Sequence, residues 1–418
     1  MNKFSTLLTL LLLSSVVFGQ EEIKILHQNI LYYGKTTKFC DENDNTKDAK
    51  NEGLRELFSY VHPDIFTCNE MDDSQEDIDY LLDNALNMDG RTSFVAAPKL
   101  GDYLLNQLYY DSKKLILDSS QSFEISYYSR DAYFYKLHTK DTPLVDGKPS
   151  AYIHIILLHL KAGSDESNKN TRVSEMTFVI DKLAELGWKE NIFIIGDLNL
   201  YGASEGAYQL MVNPQQDGVV FADPISQEGE WHDNPSYSLQ HTQSTHKYQV
   251  GCESSGGTDD RFDFIMSDLG TKLGQGYWRF KSGSYDVVGQ DGTHFNKGIE
   301  GASSSVYPNS LLNAIYNTSD HYPVTLTIGT KATSSHPVLD DDTKIVENPF
   351  VDKVRIAGLP QGKCIFEVYS VQGAQFENGC ASVYGDELRV KVSQPSGIYI
   401  VKVIDAKGKE HQYKVVKK

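Results

Sequence analysis

Positive charge is in short supply in this sequence: 39 Lys and Arg stand against 57 Asp and Glu, a formal net charge of −18 over 418 residues. Such an excess works against tight, nonspecific capture of a phosphate backbone. A phosphate-binding function then needs a local basic groove or metal ions to offset the charge. Cysteine is sparse as well. The five present are too few for a dense disulfide framework and wrongly spaced for a zinc ribbon. Cys364 and Cys380 share the terminal segment and could pair, while Cys40, Cys68 and Cys252 lie upstream and at least one cysteine stays unpaired within a monomer. Repeats and low-complexity tracts are absent, and beyond the N-terminus no apolar run is long enough for a membrane helix.

What is present divides into four segments. Lys3, the apolar run Leu7–Phe18 and small Gly19 before Gln20 predict a cleaved secretory signal over 1–20. From 21 to 328, short apolar runs (Ile23–Ile30, Ile65–Cys68, Ala151–Leu160, Asn191–Ile195) alternate with helical patterns at Asn51–Tyr60 and Thr171–Leu186, the latter ended by Gly187. Residues Asn69–Ala85 read as an acidic loop followed by a helix. This alternation predicts an α/β fold, a layered sandwich with two groups of strands. Residues 329–344, with Thr, Ser, Pro and an Asp run, read as a linker, and 345–418 as a small all-β module. Its expected strands are Val354–Ile356, Cys364–Val371, Glu387–Val392, Ile398–Ile404 and His411–Val416.

Polar side chains able to bind metal or move protons recur at the ends of the apolar strands. In Asn191–Asn199, an apolar strand reaches Gly196, expected to turn the chain, and then Asp197 and Asn199. Two apart, these would share a face if the pleat continues; Asp197 could orient a water and Asn199 could donate to a phosphate oxygen. His159 and Lys161 alternate at the end of the next strand, and Arg172 opens the following helix within possible reach of a phosphate. Asp320 and His321 are adjacent ahead of Thr325–Ile328, so they point apart and suit separate tasks. Asp263, inside an apolar strand, needs a partner, either His321 or a nearby cation. Glu70 and Asn29, each on a buried strand, offer oxygen ligands for a hard cation. Each has a plainer reading as a solvated or core polar residue; the recurrence carries the signal.

The order Asn29, Glu70, His159, Asp197/Asn199, Asp263, Asp320/His321 resembles the endonuclease/exonuclease/phosphatase superfamily over about 22–328, most specifically in Gly196-Asp197-Leu198-Asn199 and Ser319-Asp320-His321-Tyr322-Pro323-Val324. The resemblance implies a four-layer α/β sandwich, two packed β-sheets flanked by helices, with the site at one end between the sheets. It implies Mg²⁺ or Mn²⁺ held by Glu70 with Asn29 and Asp320 nearby, and a His321–Asp263 dyad. Asp197 and Asn199 would act at the attacking water and phosphate. His159 would be the second histidine of deoxyribonuclease-like and sphingomyelinase-like branches; Lys161 and Arg172 would contact substrate. The expected activity is metal-dependent hydrolysis of phosphoric ester bonds, with nucleic acid as leading substrate. Alternatives are a phospholipid-directed phospholipase C, a phosphomonoesterase, or a surface binding protein without turnover. A lipid-directed enzyme would need exposed aromatics, with Tyr127-Tyr128, Tyr133-Phe134-Tyr135 and Tyr277-Trp278 as candidates.

In the terminal module, Asn348-Pro349-Phe350, Gly397-Ile398-Tyr399-Ile400 and the basic end Lys414–Lys418 resemble the sorting domain of type IX secretion in Bacteroidota. That implies export through periplasm and outer membrane, to the cell surface or medium, by the secretion machinery. The alternative is an immunoglobulin-like stability or binding module.

Overall fold

The computed structural model describes residues 21–37, 40–41, 46–125, 130–213, 218–249, 251–330, 343–370, 375–383, 387–406 and 410–418. The expected signal segment, most of the expected linker and Tyr127-Tyr128 lie outside the described residues. The rest forms two units, 21–330 and 343–418.

The large unit is built on two sheets. The first is centred on β1 (Glu22–Tyr33), β2 (Ile65–Asp72) and β6 (Val324–Thr330); the second on β3 (Ile153–His159), β4 (Ile192–Asp197) and β5 (Asp263–Asp268). β1 runs parallel to β2 and antiparallel to β6; β4 runs parallel to β3 and antiparallel to β5. Strand parity sorts the core. Ile155 and Leu157 of β3, Phe193 and Ile195 of β4 and Ile265 of β5 join the core shared with the first sheet. Their neighbours Ile156, Leu158, Ile192, Ile194, Phe264 and Met266 pack instead with Met176, Val179 and Leu183 of α2 (Glu166–Leu186) and with Tyr208 and Met211 of α3 (Gly206–Val212). Helices α1 (Lys47–Val61) and α4 (Asn309–Thr318) contribute Leu54, Phe58, Leu311 and Ile315 to the core on the first sheet. The layered α/β sandwich is therefore as expected, with helices starting up to five residues earlier than their apolar periodicity indicates. Their first turns are polar.

Gly196 does not turn the chain; it lies within β4. It is glycine because of a close approach: φ is +145°, and a Cβ there would lie 1.8 Å from the Leu158 carbonyl oxygen of β3. Gly196→Ala is therefore expected to destabilise the unit by at least about 1–3 kcal/mol, read from the midpoint of urea unfolding.

Cys40 and Cys252 form a disulfide, while Cys68, Cys364 and Cys380 are free. The possible Cys364–Cys380 bridge is not made. Cys364 stands opposite Ala381 and Cys380 opposite Ile365, so the thiols take opposite faces, one buried and one exposed.

The small unit holds a three-stranded and a four-stranded sheet around Val354, Ile356, Val368, Leu388, Val401 and Val415. It includes an unexpected strand, Gln375–Ser382. The flanks expected to be linker are strand: Gly329 and Thr330 complete β6, and Lys344 pairs with Ala357.

Candidate active site

β1, β2, β3 and β4 all end at the same side of the sandwich, and β5 and β6 begin there. Parity directs the inward-facing residues of these ends toward one another. Asn29, Glu70, His159, Asp197, Asp263, Asp320 and His321 are all buried or nearly so.

Asp197 is at the centre. Its Oδ2 lies 3.4 Å from His159 Nε2 and 3.8 Å from His321 Nε2, and Asn29 Nδ2 donates to it at 3.2 Å. Burial pushes its carboxyl well above the usual carboxylate range, against the opposing pull of His321. The pleat stops at Asp197. Asn199 sits at φ +50°, donates its N–H to Asp197 Oδ1 at 3.0 Å and its side-chain amide to the Leu160 carbonyl at 3.2 Å. Asn199 thus fixes Asp197 from the loop side rather than sharing its strand face.

The two histidines are shifted in opposite directions. Burial, aided by Arg130, drives His159 well below its ordinary value. Burial would do the same to His321, but Asp263 outweighs it and raises the ring well above its ordinary value. His321 Nδ1 and Asp263 Oδ2 are 2.7 Å apart. The buried Asp263 carboxyl, opposed by desolvation, is kept low by this same ring.

Glu70 takes the left-handed region at φ +64°, a strain that survives only where the surroundings enforce it. Its Oε1 is 3.7 Å from His159 Nε2. Its Oε2 is buried without a hydrogen-bond partner among the described residues, and burial followed by the charge of Asp320 raises its carboxyl. An orphaned, strained, buried carboxylate oxygen fits a cation ligand. Glu70, His159 and Asp197 offer ligand atoms all within 4.8 Å of one another. Asp320 stands off from this trio: its Oδ2 accepts from Ser254 N at 2.8 Å and from Gln243 Nε2 at 3.2 Å.

Arg172 is not available to substrate. It is wholly buried; Nε and Nη2 donate to Glu205 Oε2 at 3.0 and 2.7 Å, and Nη1 to the carbonyls of Lys161 and Gly163 at 2.7 and 2.8 Å. Its task is to hold the 161–163 loop. Lys161, past the end of β3, is half-buried and donates to the Ala162 carbonyl at 3.0 Å.

Five residues escape the sequence reading. Gln243 Nε2 lies 2.6 Å from His321 Nε2. Asn69 Oδ1 accepts the Asp197 N–H at 2.8 Å. Lys50 is buried, with Nζ donating to the carbonyls of Ile30 at 2.9 Å and Thr318 at 2.5 Å; burial lowers it to about 8. Arg130 donates to the Leu160 carbonyl and acts electrostatically on Glu70, His159 and Asp197. His27 backs Asp263. Asn69 is paired with Asn29 across β1 and β2, and His27 lies two residues before Asn29 on β1, a usable signal. Gln243 lies in the segment 241–245, which the sequence marks only as a possible substrate-side loop, and Lys50 and Arg130 carry no signal.

No family model and no curated protein matches the chain. Among solved structures it is similar to an endonuclease/exonuclease/phosphatase family protein from Bacteroides thetaiotaomicron, at 15% identity and TM-score 0.48, covering 75% of this chain and 99% of that one. It is also similar to D. rerio TDP2 complexed with single strand DNA product, at 15% identity and TM-score 0.46, covering 74% and 99%. The human Nocturnin catalytic domain with bound sulfate anion gives 14% identity and TM-score 0.46, covering 74% and 97%.

Proposed function

We propose that this chain is a divalent-metal-dependent phosphodiesterase that is exported and acts on nucleic acid. One observation carries the reading: a buried carboxylate, Asp197, lies 3.4 Å from His159 and 3.8 Å from His321, beside a Glu70 oxygen with no hydrogen-bond partner among the described residues. That set divides the work of hydrolysing a phosphate ester. Asp197 accepts the proton of the attacking water. His321, kept as imidazolium by Asp263, offers Nε2–H to a phosphoryl or leaving oxygen. His159, neutral, orients the water or the phosphate by hydrogen bonding. Mg²⁺ or Mn²⁺ would be held by Glu70, with Asn29 nearby and Asp320 reaching it only by leaving its Ser254 and Gln243 donors, and would supply Lewis-acid polarisation of a phosphoryl oxygen. Arg130, acting on Glu70, His159 and Asp197, and Lys50, acting on Glu70 and Asp320, give local positive charge in an acidic chain, and Lys161 beyond β3 is left as a candidate substrate contact.

The lipid-directed alternative is weakened by where the apolar side chains lie. Tyr133, Phe134, Tyr135 and Trp278 are core residues. The exposed apolar hairpin at Leu144 and Val145 precedes the start of β3, and so lies at the end of that strand remote from His159. Export, with the terminal module engaging the type IX machinery, is supported by the apolar N-terminal segment and by a disulfide suited to an oxidising compartment.

The test is turnover by the purified chain on linear DNA, RNA, bis-nitrophenyl phosphate, a nitrophenyl monoester and sphingomyelin. Each is run with Mg²⁺, with Mn²⁺ and with chelator. Chelator-sensitive diester cleavage, fastest on nucleic acid, is expected; chelator-resistant turnover, or none from folded protein, overturns the reading. Glu70→Gln should weaken Mn²⁺ binding about 10- to 100-fold by calorimetry, with turnover falling in step.

A further inference from the structure

Behind the His321–Asp263 pair, a second histidine faces the same carboxylate. His27 lies on β1 two residues before Asn29 and is wholly buried. Its Nε2 is 3.5 Å from Asp263 Oδ1. Asp263 Oδ2 is occupied by His321, while Asp263 Oδ1 and His27 Nε2, 3.5 Å apart, make no hydrogen bond to any described residue at their present separation and are the nearest candidates for each other. A buried carboxylate oxygen left without a donor is unfavourable, and His27 is the donor placed to prevent it. The other ring nitrogen, Nδ1, is 3.1 Å from the Thr67 hydroxyl of β2. The one Thr67 hydroxyl proton has two acceptors in reach, His27 Nδ1 and, farther away at 3.5 Å, the Leu26 carbonyl; when it goes to the nearer Nδ1, the ring carries its proton on Nε2, toward Asp263.

The geometry assigns His27 as a positioning residue: its Nε2–H holds the second oxygen of Asp263, so the carboxylate cannot swing and His321 keeps one orientation toward Asp197 and the substrate. A carboxylate gripped at one oxygen only can rotate about its Cβ–Cγ bond and carry the imidazole with it. Gripped at both, it transmits the register of the first sheet, through β1 and Thr67, to a histidine that the second sheet must meet. The effect on turnover rests on the phosphodiesterase reading above; the hydrogen bond itself does not.

The test uses the full chain with His27→Leu, which keeps bulk and removes the donor, and His27→Gln, whose amide can replace Nε2–H. With thermal melts confirming folding, His27→Leu should lower kcat for the best diester about 10- to 100-fold with KM within about twofold. His27→Gln should recover most of that loss, and His27→Leu should have no further effect in an Asp263→Asn background. Independently of turnover, the imidazole N–H proton bonded to Asp263 should be a downfield NMR signal, lost in His321→Ala and shifted or broadened in His27→Leu. If the wild type cleaves nothing, the phosphodiesterase reading fails while this signal still decides the role of His27. Should His27→Leu not fold, Thr67→Val carries the test, with about a 3- to 10-fold fall in kcat and the same spectral shift expected. An unshifted signal, a wild-type kcat in the folded Leu variant, or a Gln variant no better than Leu overturns the assignment.

Discussion

Asp197→Asn is expected to lower kcat for diester cleavage by about 10³-fold or more, at the upper part of the range for loss of a general base. The substitution is isosteric. The amide keeps one oxygen for the Asn199 N–H, which bonds Asp197 Oδ1 at 3.0 Å, but its NH2 then faces the Asn29 amide that donates to Oδ2 at 3.2 Å, so a stability loss of about 1–3 kcal/mol is expected and thermal melts must show the variant folded at the assay temperature. What is removed is the only negative charge between the two histidines and the ability to take a proton. The pH profile supplies a second reading. A base must be ionised to act, and burial has raised this carboxyl. Activity should therefore fall on acidification at a pH above the ordinary carboxylate range, and the variant's residual activity should lack that limb. Steady-state kinetics from acid to alkaline pH would check both; a variant retaining full activity removes Asp197 from the chemistry.

Arg261→Met should cost about 3–5 kcal/mol of stability, the scale for leaving a buried charge without its partner. Arg261 and Asp223 are both buried, with guanidinium-to-carboxylate distances of 2.6 and 3.1 Å. The guanidinium also lies 4.3 Å from the Phe264 ring centroid, on the strand that carries Asp263. Removing the cation strands Asp223, whereas removing both charges does not. The double variant Arg261→Met/Asp223→Leu should recover much of the loss in urea unfolding. Desolvation alone would raise Asp223, but Arg261 outweighs it and lowers the carboxyl. A depressed carboxyl stabilises the fold above its unfolded value and loses that contribution as pH falls through the folded one. The wild type should thus shed stability below about pH 4, and Arg261→Met should shed less over the same window.

The sequence is most legible where strand parity and chemistry coincide. β3 and β4 are apolar runs that end on His159 and on Asp197, and the apolar run of β6 begins three residues after His321, so fold and candidate site emerge together. Legibility fails where a residue's role is set by a distant partner. Arg172 looks like a helix-start cation, but Glu205, 33 positions away, claims it. Asp263 was seen to need a partner and finds two, His321 and His27, because β1 and β5 face each other across the sheets, a relation that neither strand encodes alone. Tyr133, Tyr135 and Trp278 are large aromatics whose burial depends on which sheet faces which. The strand Gln375–Ser382 is polar, contains Gly379 and lies at the edge of its sheet, so no apolar alternation marks it.

The disulfide between Cys40 and Cys252 spans 212 positions and makes a covalent ring of the chain between them. β1 precedes the ring, β6 follows it, and the two pair from Glu22 opposite Gly329 to His27 opposite Val324. A single peptide cut within the ring therefore leaves both fragments joined as one particle until a reductant is added. A cut between Cys252 and β6 leaves them joined only by noncovalent packing. Limited proteolysis resolved on gels with and without reductant would map this asymmetry: the half of the unit that carries Glu70, His159 and Asp197 survives nicking as one covalent piece, and the half that carries Asp263 and His321 does not.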